Sequence, residues 1–173
     1  MMIVIAIILV LLSLVFLPYG YYMQRSYVER SIDTVGQGWI LAHKDIRNGK
    51  LYDEATTANK LLIFRKGATE IESYLLSGST LPSLDTLATN TEIKKENPIR
   101  LDSNIEILSF SGANISNSDI LGYYIEAPYG SGAFFTGALV PFSSTGVFVT
   151  IGYDGADISS GRARQVLLRP YLQ

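Results

Sequence analysis

Few side chains in this chain have the types and spacing to do chemistry, and each has a plainer reading. The one histidine, His43, stands beside Lys44 and Asp45. With no second histidine and no cysteine, a transition-metal site would rest on carboxylates alone, which is poor ligand chemistry for zinc. Gly130-Ser131-Gly132 lacks the spacing of the G-x-S-x-G elbow and reads as a turn between strands. Asp154 and Asp157 flank Gly155 and could hold calcium in a loop, but no glutamate follows to supply the bidentate ligand of an EF-hand, so a hairpin turn is expected. Glu70, Glu72 and Glu126 alternate with apolar residues as the solvated face of a sheet would, which leaves a glycosidase carboxylate pair unsupported. There is no phosphate-binding G-x-x-x-x-G-K-[ST] loop. Tyr123, Tyr124, Tyr129, Phe134 and Phe135 fall within thirteen residues. They could stack single-stranded DNA or sugars, but with the nearest basic residues at Arg100 and Arg162 the plainer expectation is ordinary sheet core. The expectation is a protein that is not an enzyme and has neither cofactor nor metal.

The elements that carry these residues are more informative than the residues themselves. At 173 residues the chain has room for one domain plus an appendage. A net charge of -2 and a pI near 5.4 argue against a general nucleic-acid binder, which would be basic, although a local basic patch stays open. The absence of cysteine excludes a disulfide framework and leaves the redox compartment undetermined.

Every charged side chain lies at or beyond Arg25. The block before it, residues 1–23, includes Met2, Ile3, Val4, Ile5, Ala6, Ile7, Ile8, Leu9, Val10, Leu11, Leu12, Leu14, Val15, Phe16, Leu17 and Pro18. As a helix from Met1 to Tyr22 it would run roughly 33 Å, enough to cross a bilayer core of about 30 Å. A cleavable signal peptide is disfavoured: no basic residue precedes the apolar run, and LPYGYYMQ offers bulky rings where a peptidase wants small residues. Membrane lipid is therefore an expected partner. Arg25 and Arg30 follow the span, and taken literally the positive-inside rule would keep them cytoplasmic, against the extracytoplasmic head preferred below.

From residue 24 to 49 the pattern changes. Val28, Ile32, Val35, Trp39, Ala42 and Ile46 recur at intervals of four and three, one helical stripe, with charged residues elsewhere and Arg25 in salt-bridge register with Glu29. Val28, Ile32, Val35, Trp39 and Ile46 are the expected contacts between helix and head. Asn48-Gly49 supplies residues that tolerate a left-handed cap, so a helix of about 45 residues should stop there, bent but unbroken at Pro18. Residues 50–173 then read as a β-rich head. A hairpin is expected from 60–66 and 69–76 across Gly67, a loop over 77–90, and strands within 99–112, 119–130, 133–142, 146–155 and 162–172. The fold class is α+β: a long N-terminal helix, apolar in its first half and amphipathic in its second, on an antiparallel sheet.

Residues 1–48 resemble the N-terminal helix of type IV pilins and type II secretion pseudopilins. The shared features are an apolar run of the MIVIAII kind, a proline about fifteen residues later, tyrosines, and then a charged amphipathic half. Beyond residue 50 the likeness is topological, through a hairpin after the helix and APYGSGAFF, VPFSSTGVFVTIG and RARQVLLRP as later strands. The resemblance implies a pilin-like head and a single-pass inner-membrane protein with that head extracytoplasmic. It further implies partners in other pilin-like subunits and in an inner-membrane assembly machinery that stacks the apolar helices into a pilus or secretion filament, with nucleic acid a partner only through a DNA-uptake role. Family members begin with a short basic leader ending in glycine, then an aromatic residue and a glutamate, and none of these stands here. Either the start codon is placed too late, which is the expectation, or the chain is a variant that cannot be processed. The competing reading is a signal-anchored extracytoplasmic β-domain that binds glycan or DNA and never polymerises.

Overall fold

A computed structural model describes residues 2–53, 56–78, 93–112, 115, 118–136, 141–142 and 146–170. One helix, α1 (Met2–Arg47), runs without interruption through Pro18. It ends as its sequence requires. Gly49 takes φ +76°, its N–H bonds the Ile46 carbonyl at 3.0 Å, and the Lys50 N–H reaches back to the Asp45 carbonyl at 3.0 Å. These two bonds form a Schellman cap, which depends on the left-handed residue at Gly49. Gly49→Ala is therefore expected to lower the head's unfolding free energy by about 1 kcal/mol, read as a shift in urea midpoint, because a Cβ disfavours that backbone region.

The strands that follow are β1 (Asn59–Arg65), β2 (Glu70–Leu76), β3 (Ile93–Lys95), β4 (Ile99–Arg100), β5 (Glu106–Ser111), β6 (Ile120–Glu126), β7 (Ser131–Thr136), β8 (Pro141–Phe142), β9 (Val147–Gly152) and β10 (Ala163–Leu168). All pair antiparallel, so the α+β class holds. They form two sheets where one was expected. The larger runs β3-β2-β1-β6-β7-β8 with β4 also on β2, and the smaller runs β10-β9-β5.

The anticipated hairpin is present, with Lys60 opposite Leu75 and Ile63 opposite Glu72. The expected strand over 99–112 is divided, because the chain turns between Leu101 and Ile105 with Asn104 at φ 66°. The strand expected to reach residue 130 stops at Glu126, where Ala127-Pro128 opens a turn. Most of the anticipated loop, residues 79–90, lies outside the described residues.

The helix stripe faces a core shared by both sheets. Val28, Val35, Trp39, Ala42 and Ile46 are buried against Leu62, Phe64, Tyr123 and Phe134 of the larger sheet and Val147, Val149 and Ile151 of the smaller, with Ile32 partly buried beside them. The far face of the larger sheet is not the solvated surface its glutamates suggested. Leu61, Ile63, Tyr74, Leu76, Tyr124 and Phe135 form a second buried cluster there, a placement these large apolar side chains favour. Gly122 makes room for it: a Cβ at that position would stand 2.1 Å from the Phe135 ring.

Candidate functional site

The first half of α1 packs against nothing among the described residues. Its described apolar side chains are exposed on every side, from Ile3 at 76% through Ile7 at 54%, Leu11 at 57% and Phe16 at 66%. An 18-residue window has mean hydropathy 2.8 with none of it buried, so by length and composition this is a helix that can cross a membrane. Its one serine is internally satisfied, since Ser13 Oγ donates to the Val10 carbonyl at 2.7 Å. Tyr19, Tyr21 and Tyr22 are exposed where the apolar block ends, the position at which aromatic rings sit at a membrane–water boundary.

The helix then enters the head through charged contacts. Glu29 Oε1 accepts from Arg25 Nε at 3.1 Å and from Arg164 Nη2 at 3.0 Å, so one carboxylate ties the exit of the apolar half to β10. Ser31 is fully buried, and its Oγ accepts the Asp102 N–H at 3.1 Å. The apolar period alone does not reveal this contact, because serine at position 31 reads as polar and outward.

Trp39 is the centre of the deeper contact. Its ring lies 4.1 Å from that of Tyr123 and 5.8 Å from that of Phe134, the latter at an interplanar angle of 14°. His43 packs edge-on to Trp39 at 5.3 Å, and its Nδ1 lies 3.0 Å from the Gly130 carbonyl oxygen, where it donates when protonated. Burial lowers the His43 pKa, the Gly130 hydrogen bond opposes that shift and nearby Arg47 adds to it. The imidazole is thus a neutral packing group. As pH falls below about 6.5 the unfolded chain takes up a proton that the folded head resists, so stability should drop. The expected result is a smaller loss of urea midpoint between pH 7 and pH 5.5 in His43→Gln than in the unmodified chain.

At the last turns of the helix, Lys60 reaches Asp45 Oδ2 at 3.1 Å and Glu96 Oε2 at 3.0 Å, and Lys50 pairs with the same two carboxylates. Burial alone would raise both acids, but the two ammonium groups outweigh it and hold Asp45 and Glu96 below their ordinary pKa. This ring of alternating charges joins α1 to β1 and to the segment after β3. Lys60→Ala removes the most buried member and should cost about 1–3 kcal/mol of head stability in a denaturant titration.

The side chains singled out for chemistry are not gathered into a catalytic site. Tyr123, Phe134 and Phe135 are fully buried and Tyr124 nearly so, while Tyr129 is 68% exposed, so the five rings form sheet core with one outlier rather than a stacking platform. Asp154 and Asp157 lie in the β9–β10 turn, where Asp157 caps a one-turn helix at Ile158–Ser160 through the Ser159 N–H and hydroxyl. Gly130 is in the β6–β7 turn, and Ser131 and Gly132 begin β7. Glu72 pairs with Arg65 and Lys95, and Glu70 with Arg100. Among the described residues no group of three metal-ligating side chains converges.

Comparison with family models, with curated proteins and with solved structures gives no match. The functional reading therefore rests on the helix and the way it is held.

Proposed function

We propose that the chain is a pilin-like structural subunit, a minor pilin or pseudopilin. It is held in the inner membrane by its apolar half-helix with the head extracytoplasmic, and is then assembled with other such subunits into a pilus or a secretion-type filament. The observation that carries the reading is that one uninterrupted helix, Met2–Arg47, is bare and apolar in its first half and buries one stripe of its second half in the head. A tether needs only the bare half and a flexible link. A helix that serves first in lipid and then in a filament interior must be apolar all round and rigidly joined to its head. The ion pairs at Glu29 and the stripe from Val28 to Ile46 supply that rigid joint.

The test is fractionation of the cells that make the protein. The expected result is a membrane-bound chain whose head is cut by protease added to spheroplasts, and whose filaments appear in the sheared surface or periplasmic fraction under negative stain. A chain recovered only as monomer after detergent-free shear and cross-linking would overturn the filament reading and leave a simple anchor.

A further inference from the structure

Among the described residues the head carries charge of opposite sign, without ion-pair partners, at its two ends. Lys44 and Arg47 lie about one turn apart on the last turns of α1, and neither forms an ion pair with any described residue. Beside them are two exposed apolar groups, Ile40 at 59% and Tyr129 at 68%. The patch is firmly built: His43 holds the Gly130 carbonyl, and the Arg47 stem packs so closely on Gly130 that a Cβ there would be 2.7 Å from Arg47 Cγ. Ile40, His43, Lys44, Arg47 and Asn48 line a shallow pocket at this end.

At the other end the β9–β10 turn exposes Asp154 and Asp157 next to Ile158, which is 48% exposed. Neither acid forms an ion pair with a described residue. Asp157 is engaged with Ser159, the guanidinium of Arg162 lies 5.3 Å over the Tyr153 ring, and Lys66 shares a cleft in which Glu106 and Asp154 outnumber it. The turn sits level with the start of the buried half-helix, because Arg164 just beyond it reaches Glu29 and Tyr153 packs on the core that contains Val28. Glu29 and Lys44 are fifteen positions apart, which is about 22 Å along the helix.

The geometry points to a head-to-tail contact between two copies of this chain, in which Lys44 and Arg47 of one head meet Asp154 and Asp157 of the next along the filament axis. This rests on the filament reading and specifies it, since a contact between two different surfaces of one molecule can repeat, and generates a helical polymer where the rotation between copies does not close. Each pole sets an exposed apolar side chain beside its charges, Ile40 and Tyr129 on one and Ile158 on the other. The apolar helices contribute the buried area, and the charges fix register and exclude the reversed orientation.

The chain has no cysteine, so an engineered pair gives a clean readout. Filaments of full-length chain carrying Lys44→Cys and Asp157→Cys together, oxidised with copper phenanthroline and oxygen, should give a ladder of disulfide-linked multimers on a non-reducing gel, while each single substitution gives none. Sheared filaments that form without the ladder would overturn this contact and leave the filament reading standing. Absence of filaments from the unmodified chain would overturn both. Should the cysteine pair block assembly, charge reversal decides: Lys44→Glu with Arg47→Glu should abolish filaments, and adding Asp154→Lys with Asp157→Lys should restore them. Loss without restoration would sink the contact.

Discussion

Replacing Trp39 with alanine should lower the unfolding free energy of the head by about 3–5 kcal/mol, because a buried aromatic would leave a cavity that its surroundings fill only in part. The indole touches the helix itself through His43 and the larger sheet through Phe64, Tyr123 and Phe134, so no single element can move in to close the gap. Trp39→Phe keeps a ring in the site and should lose much less. Trp39 is the only tryptophan, so indole fluorescence disappears with it and the measurement is a urea titration of full-length chain in detergent followed by circular dichroism. A wild-type-like midpoint for Trp39→Ala would show that the helix is held to the head elsewhere.

Leu11→Lys should reduce the membrane-bound fraction sharply. Leu11 is near the middle of the uncharged stretch and is 57% exposed, with no described side chain positioned to pair with a new ammonium. A lysine at the centre of a spanning helix costs about 2.5–3.5 kcal/mol on insertion scales, which is roughly two orders of magnitude in partitioning. Leu11→Phe is the control, since it changes shape while remaining apolar. Carbonate-resistant membrane association equal to that of the unmodified chain in Leu11→Lys would refute the spanning role.

How legible was this structure in the sequence? The helix was, from start to cap, because a 4-3-4-3 apolar spacing and Asn48-Gly49 are local signals that need no knowledge of partners. The hairpin of β1 and β2 was legible for the same reason, having β-branched and aromatic residues on either side of Gly67. The second sheet was not. Whether β9 pairs with β10 and β5 rather than joining its neighbours is decided by contacts far apart in the chain, and the strand pattern VFVTIG reads the same in either arrangement. The second buried face of the larger sheet is not legible, because Glu70, Glu72 and Glu126 read as a polar face whose middle is filled by Leu61, Tyr74, Tyr124 and Phe135. The charge ring of Asp45, Lys50, Lys60 and Glu96 joins residues up to fifty-one positions apart, and no spacing rule brings them together. By contrast, the core placement of Tyr123, Tyr124, Phe134 and Phe135 is legible, since a stacking platform for nucleic acid would require cations nearby.

The uninterrupted course of α1 governs how the molecule would carry tension. A pull on the apolar end is transmitted along the backbone hydrogen bonds of one helix, with a single missing donor at Pro18, directly into the side chains buried against the two sheets. Val28, Val35, Trp39, Ala42 and Ile46 then bear the load together in shear, rather than one after another as in a peeled strand. Hauling the helix out of its head would require all of these contacts to slip at once. A subunit of this shape would resist axial force as a rivet does, by its seated length.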